Sequence, residues 1–163
     1  MLREVENAEG VIMYIQKLDV NDISNHQAEL KELLRICFQN TYEDEVFDEL
    51  IDGKYIGLVE YVRSRKAHTF GAIKDDKLIG FLWGYPVETP METVFHVAYI
   101  AVLENGRRLG IGRLLLNEAE KECKTLGLNH VELIVGAENK SALHFYDNCG
   151  YTADRYYMRK EVR

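Results

Sequence analysis

Hydrophobic spacing along the chain switches between a period of two and a period near 3.6, which separates strands from helices. Residues Val11 to Lys17 combine β-branched and aromatic side chains and are predicted to form a first strand. A helix follows, opened by the capping-box pair Ser24 and Gln27. Residues Glu43 to Arg65 carry a second helical pattern. The first part of the chain is therefore predicted to be β-α-α.

The middle of the chain is predicted to consist of strands. Residues His68 to Ile73 and Leu78 to Tyr85 flank a short polar turn, Asp75 to Lys77, which is a hairpin pattern. The next apolar run, Val94 to Val102, is nearly continuous and favours a strand that is buried on both faces.

Helices and strands alternate in the last third. We predict a helix over Gly110 to Leu126, a buried strand over His130 to Val135, a short helix capped by Asn139 and stopped by Gly150, and a last strand over Tyr151 to Val162. The whole order is β-α-α-β-β-β-α-β-α-β. An antiparallel meander that feeds a β-α-β unit predicts a mixed α/β fold, with a mostly antiparallel sheet flanked by helices.

Composition indicates one globular domain. The 163 residues suffice for one core, so we expect a single domain over residues 1–163, with residues 1–10 as an N-terminal extension. A net charge of −7 disfavours nucleic-acid binding, because phosphate neutralisation needs clustered Lys and Arg. No apolar run reaches the ~20 residues of a membrane helix. The three cysteines fit neither a disulfide framework nor a zinc site, so we expect no metal and a cytoplasmic location.

One basic, glycine-containing segment differs from the rest of this acidic chain. Arg107, Arg108 and Arg113 surround Gly110 and Gly112 where the predicted helix begins. The first N–H groups of a helix have no intrahelical partner and carry partial positive charge. Glycine, which has no Cβ, lets an anion approach those groups closely. The segment therefore predicts a pyrophosphate-binding loop.

Two common phosphate loops do not fit this segment. A Walker A loop ends in Gly-Lys-Ser/Thr, whereas Gly112 precedes Arg113 and Leu114. The dinucleotide fingerprint needs a third small residue where this chain has Leu115.

The pattern Arg107-x-x-Gly110-x-Gly112 instead resembles the acyl-CoA loop of the GNAT superfamily of N-acetyltransferases. The strand before it, Tyr99-Ile-Ala-Val102, has the family's character. The later segment Asn139-Lys-Ser-Ala-Leu-His-Phe-Tyr146, followed by Gly150-Tyr151, is similar to the family's Asn-x-x-Ala-x-x-Phe-Tyr…Gly-Phe segment. The resemblance is tight from about Val94 to Tyr151 and extends loosely over nearly the whole chain.

The resemblance implies a GNAT-like fold in which two central parallel strands splay apart and hold acetyl-CoA as cosubstrate. The residues implied in cofactor binding come from the strand end, the loop and the last helix: Ile100, Ala101, Val102, Arg107, Arg108, Leu109, Gly110, Ile111, Gly112, Arg113, Asn139 and Tyr146. Neighbours on a helix diverge by ~100°, so we assign Phe145 to the core and Tyr146 to the cleft. A phenol stays protonated at neutral pH, which suits Tyr146 as general acid toward the leaving thiolate.

His96 is the predicted general base, directly or through one water. An amine must lose a proton to attack, and an imidazole has a suitable reference pKa of about 6.5. Strand alternation would place His96 on the same side as Ala98, Ile100 and Val102, and family members that use an enzymic base often carry Glu or His at this place. Glu92 and water alone remain open alternatives.

The predicted function is transfer of an acetyl group from acetyl-CoA to a primary amine of a small molecule or peptide by direct attack. The alternative is a catalytically silent CoA-binding regulatory module on the same fold. The acceptor stays open, and so does a homodimer. Acidic residues in the predicted acceptor region favour a cationic acceptor, although a solvated helix face explains them as well: Glu43, Asp44, Glu45, Asp48, Glu49, Glu88 and Glu92.

Overall fold

The computed structural model of the protein describes residues 3–6, 10, 12–39 and 48–162. Its strands are β1 (Arg3–Glu6), β2 (Ile12–Lys17), β3 (His68–Lys74), β4 (Lys77–Glu88), β5 (Thr93–Val102) and β6 (Val131–Leu133). Its α-helices are α1 (Val20–Asn25), α2 (Gln27–Gln39), α3 (Asp48–Arg63), α4 (Ile111–Thr125) and α5 (Lys140–Asn148). A 3-10 turn, Glu104–Gly106, lies between β5 and α4.

The strands form one sheet in the order β1-β2-β3-β4-β5-β6. Every neighbouring pair is antiparallel except β5 and β6, which are parallel. The tight turn between β3 and β4 has Asp75 and Asp76 at φ +50° and +59°, left-handed values that match the twist of a two-residue hairpin. The predicted mixed, mostly antiparallel sheet is therefore confirmed.

Helices cover both faces of the sheet. One core cluster joins α1, α2 and α3 to the side chains of Leu78, Phe81, Trp83 and Ala101. The second cluster joins α4 to the opposite face: Met13, Ile15, Phe70, Ala72, Ile79, Leu82, Phe95 and Val97, with Phe145 and Tyr146 of α5 packed against it. The two layers leave β4 and β5 at the centre, buried from both sides.

A charged cluster fastens α4 to the sheet. Glu122 accepts a hydrogen bond from Lys17 at 2.6 Å, and its carboxylate lies 2.6 Å from Nδ1 of His68. Burial raises the pKa of the Glu122 carboxyl, but Lys17 and His68 more than offset that effect and hold it below its usual range. The helix that carries the basic loop is thereby fixed against β2 and β3.

The beginning of the chain differs from the sequence prediction in three respects. Strand β1, within the expected N-terminal extension, adds an edge strand to β2. The capping box is formed by Asp19 and Asp22, not by Ser24 and Gln27, and it starts the additional short helix α1. Ser24 instead donates its hydroxyl to the carbonyl of Val20, so it lies inside a helix. The start of the second predicted helix at Glu43 lies outside the described residues.

The end of the chain also differs. The predicted last strand over Tyr151 to Val162 is wrong, because these residues form no helix or strand. Tyr156, Tyr157 and Met158 are 85%, 90% and 87% exposed. In a strand of a sheet with one buried face, exposure would alternate from residue to residue, and here three consecutive large side chains are all exposed. The prediction relied on strand-favouring residue types, which are not sufficient. Strand β6 is shorter than predicted and only half-buried, because it is the last strand of the described sheet.

Candidate active site

The cleft lies where β5 and β6 separate. Their parallel pairing covers only three positions, from Phe95 opposite Val131 to Val97 opposite Leu133. Strand β5 then continues for five residues, 98–102, with no strand on its β6 side among the described residues. Unpaired backbone groups of a strand are ready to bind an extended ligand. The predicted splayed pair is present, and its open edge includes Ile100, Ala101 and Val102.

A β-bulge sits at the beginning of this open edge. Trp83 on β4 pairs with Tyr99, but the next residue, Gly84, pairs with Val97, so Ala98 is an extra residue on β5. The predicted alternation through Ala98 is therefore wrong. Ile100 and Val102 face α4, whereas Tyr99 and Ala101 face α2 and α3.

The basic loop leads from the end of β5 to the N-terminus of α4. Gly110 is the N-cap of the helix at φ +77°, and an added Cβ would meet nothing within 4 Å. Arg108 is also left-handed, at φ +66°, and both arginines at 107 and 108 are exposed. The left-handed Gly110 followed by the right-handed first residue of α4, Ile111, turns successive N–H groups toward one point, which forms an anion-binding concavity. The loop therefore fits a pyrophosphate.

Three of the predicted cofactor-binding residues have structural contacts of their own. The Ile111 side chain is buried in the core, and a Cβ on Gly112 would lie 2.9 Å from the Phe145 ring. Arg113 donates a hydrogen bond to the carbonyl of Asn148 on α5. Gly112 is thus needed for close packing of α4 on α5, and these positions offer a ligand their backbone N–H groups.

Asn139 caps α5 as predicted. Its Oδ1 accepts a hydrogen bond from the Ala142 N–H at 3.1 Å. The side-chain NH₂ group remains as a donor, so the capping role and ligand binding use different atoms of one amide.

Tyr146 is a half-buried residue of α5 that packs against the core cluster of α4. Burial, with smaller contributions from the neighbouring Cys37 and Cys149 thiols, raises the pKa of Tyr146 to about 12. Cys37 also donates its S–H to the carbonyl of Ile100 at 3.6 Å. The Cys37 thiol therefore bonds to the backbone of the open edge of β5 and also influences the pKa of Tyr146.

His96 lies on β5 two residues before the bulge and packs against Tyr85, with 5.7 Å between ring centroids. Its Nδ1 is 3.2 Å from Oε1 of Glu132, its partner in the β5–β6 register. A carboxylate accepts hydrogen bonds only, so Nδ1 donates to it. In the tautomer with the proton on Nδ1, Nε2 carries the lone pair that a proton acceptor needs.

Glu92, the alternative base, has a different environment. It lies 2.7 Å from Nδ1 of His130, at the end of β5 opposite to the open edge. This geometry disfavours a role in proton transfer at the cleft.

The described part of the chain contains no cluster of three or more His, Cys, Asp or Glu side chains that would hold a metal ion. None of its helices is both long and apolar enough to span a bilayer.

Sequence reasoning missed two groups at this site, Cys37 and Glu132. Glu132 becomes visible only when the register of the parallel pair is known, and Cys37 only when α2 is placed against β5. Neither has a local sequence signal.

The comparisons with known proteins agree with this geometry. The model of the acetyltransferase (GNAT) family matches residues 28–151, and the chain belongs to that family. An N-alpha-acetyltransferase of Sulfurisphaera tokodaii is 33% identical over 106 residues, which are 60% of this chain and 64% of that protein. The relative is thus matched over less than two thirds of its length.

Solved structures share the fold. A putative acetyl transferase from Pyrococcus furiosus superposes with a TM-score of 0.72 at 24% identity, over 92% of this chain and 99% of the other. The aminoglycoside N-acetyltransferase AAC(6')-Iy, solved in complex with CoA, gives a TM-score of 0.70 at 14% identity, over 93% and 95%. The loop and the splayed strands thus belong to the GNAT fold, as the family match indicates.

Proposed function

We propose that this protein transfers an acetyl group from acetyl-CoA to a primary amine of a small molecule or peptide by direct attack. The observation that carries the proposal is the open edge of β5 leading into the uncovered N-terminus of α4 at Gly110. The three cysteines, all among the described residues, are thiols and not disulfides, which supports a reducing, cytoplasmic setting. Amine-dependent release of the CoA thiol is the test.

Each part of the site has one task in holding the cosubstrate. The backbone around Gly110, with Arg107 and Arg108, would bind the pyrophosphate. The open backbone groups from Ile100 to Val102 would pair with the extended pantetheine arm, and the Asn139 amide would hold it from the other side. Acetyl-CoA supplies an activated thioester when it is bound.

Two side chains would handle the protons. His96 takes a proton from the attacking amine at Nε2, while Glu132 holds Nδ1 and fixes the tautomer. Tyr146 donates its phenolic proton to the departing thiolate sulfur. Its pKa of about 12 keeps the donor protonated throughout the pH range in which the enzyme would work.

A covalent acyl-cysteine intermediate is disfavoured by the thiols themselves. Burial raises the pKa of Cys37 to about 12, and burial also raises the pKa values of Cys123 and Cys149. The thiolate is the nucleophilic form, so all three are poor nucleophiles near neutral pH. Direct attack by the amine needs no such activation.

Replacing His96 with Ala should lower kcat/KM by about 10²-fold near pH 7, within the usual range for loss of a general base. The loss should shrink at high pH, because a larger fraction of the amine is then already neutral. The pH profile of kcat/KM with a good acceptor is the measurement. A variant with the wild-type rate and profile would remove His96 from the mechanism.

Two further variants test whether Glu132 positions the His96 imidazole or only adds negative charge to the protein. Glu132→Ala should reproduce part of the His96 effect in kcat with little change in the KM for acetyl-CoA, since it frees the imidazole to rotate. Glu92→Gln disrupts the comparable pair with His130 and should leave kcat within about twofold. Equal effects of the two variants would show that neither carboxylate acts on the base.

A further inference from the structure

An aromatic wall lines the α2/α3 side of β4 and β5. Its members are contributed by α2, α3 and both strands: Phe38, Tyr61, Trp83, Tyr85 and Tyr99. Their ring centroids lie 5.2 to 6.1 Å apart in a continuous series from Phe38 through Tyr99, Trp83 and Tyr61 to Tyr85. Phe38 and Trp83 are buried, whereas Tyr61, Tyr85 and Tyr99 are partly exposed, and exposed rings of this kind bind apolar or planar groups.

The aromatic wall adjoins the proposed base. The ring of Tyr85 contacts the ring of His96 at one end of the series. An amine that gives its proton to His96 would therefore bring the rest of its molecule against Tyr85 and its neighbours.

A cation overhangs the same wall. Lys54 on α3 is half-buried, and its Nζ lies 5.8 Å from the Phe38 ring centroid. No carboxylate pairs with Lys54 among the residues described here. Its charge also reaches Tyr85, whose pKa is raised by burial and by Tyr61 and Tyr99 but lowered by Lys54.

The wall also holds a buried hydrogen-bond donor. The indole Nε1 of Trp83 has no hydrogen-bond partner among the described residues, although Trp83 is only 6% exposed. An ammonium and an indole N–H can only donate hydrogen bonds. A ligand oxygen beside Lys54 would accept a hydrogen bond from its ammonium, and the unpartnered indole shows that acceptors are scarce in this part of the molecule.

From this arrangement we propose that the aromatic wall and Lys54 select an acceptor amine that carries a carbonyl or carboxylate oxygen and an apolar group, as an α-amino acid or a peptide N-terminus does. Lys54 binds the oxygen, and the wall binds the apolar group. The inference rests on the proposed acetyl transfer.

Polyamines and other polycations fit this surface poorly. Lys54 would repel a second positive charge, and such amines bring no oxygen acceptor. Among the acidic residues that favoured a cationic acceptor, Asp48 bonds to Arg35 and Glu92 to His130, while residues 43–45 lie outside the described ranges. Two of the acidic groups are therefore engaged elsewhere, and the other two that the structure describes, Glu49 and Glu88, are exposed to solvent.

Matched acceptors test the inference. One series shares a benzyl group and differs in the oxygen next to the amine: phenylalanine has a carboxylate, the dipeptide Phe-Gly a peptide carbonyl, and phenethylamine neither. Leucine, Leu-Gly and isopentylamine form a second series of the same design. Spermidine represents polycations. Thiol release would give kcat/KM for each acceptor with the wild type, with Lys54→Met, which keeps the aliphatic chain, and with Lys31→Met. Lys31 is the control because its Nζ likewise lies over an aromatic ring, 5.5 Å from the Tyr55 centroid, but it is paired with Asp52 at 2.8 Å.

We expect Lys54→Met to lower kcat/KM about 10-fold or more for at least one oxygen-bearing acceptor, through KM, and less than twofold for the plain amines. The ratio of kcat/KM between wild type and variant for the same acceptor does not depend on the intrinsic reactivity of that amine. A preference for the amino acid or for the dipeptide tells the two sources apart. The inference would be overturned if the wild type favoured spermidine or the plain amines. It would also be overturned if Lys54→Met lowered kcat/KM equally for every acceptor, or if Lys31→Met gave the same loss. In each case the proposed acetyl transfer would stand. Absence of thiol release with every amine would overturn the proposed function and this inference together.

Discussion

Gly110→Val should abolish stabilisation of the protein by acetyl-CoA. A ligand at 100 times its dissociation constant adds about 2.7 kcal/mol to the free energy of unfolding. Gly110 has open space around its Cβ position, so the new side chain would occupy the volume that the pyrophosphate needs. The measurement is the thermal shift of wild type and variant with acetyl-CoA.

A second glycine provides the control for backbone strain. Gly127 lies at the other end of α4 with φ +73° and likewise has nothing within 4 Å of its Cβ position. A side chain in this left-handed conformation costs roughly 1–2 kcal/mol, so Gly110→Val and Gly127→Val should destabilise the ligand-free protein similarly. Only Gly110→Val should lose the ligand shift. A full shift in that variant would show that the loop does not bind the cosubstrate.

Tyr146→Phe should lower kcat by about 10-fold to 1000-fold while acetyl-CoA affinity changes little. The phenylalanine keeps the ring and its contacts with Phe145 and Tyr151 but removes the proton that the leaving thiolate would receive. Because CoA thiolate is a moderately good leaving group, the loss should be large but incomplete. Steady-state kcat and the dissociation constant for acetyl-CoA are the two quantities to compare.

Tyr151→Phe is the matched control for this substitution. Its ring lies 5.9 Å from the ring of Tyr146, and its buried hydroxyl has no hydrogen-bond partner in the described part of the chain. Removing an unsatisfied polar group should not destabilise the protein, and kcat should stay near the wild-type value. If Tyr146→Phe instead reduced binding and turnover equally, its hydroxyl would be structural.

The acyl-CoA loop could be predicted from sequence because all its signals are local. Its signals lie close together in the sequence: the arginines of the loop, the glycine at the left-handed N-cap of α4 and the apolar run before the loop. The same holds for the Asn139 cap and for the hairpin at Asp75 and Asp76.

Features that depend on register could not be predicted. The bulge at Ala98 reverses which β5 side chains face α2 and α3, and nothing in a run of apolar residues reveals an inserted position. The pairing of His96 with Glu132 and the position of Lys54 over Phe38 join elements 36 and 16 residues apart in the sequence. The prediction of a last strand was wrong because it rested on residue types alone, whereas a strand also needs a neighbouring strand to pair with.

Release of the CoA thiol from acetyl-CoA, followed with and without amines, tests the central claim most directly. The account predicts release that requires an amine, saturates with acetyl-CoA and leaves one acetyl group on the acceptor, with no acetylated protein as an intermediate by mass spectrometry. A protein that shows the acetyl-CoA thermal shift yet releases no thiol with any amine would contradict it. That result would identify a CoA-binding regulatory module instead.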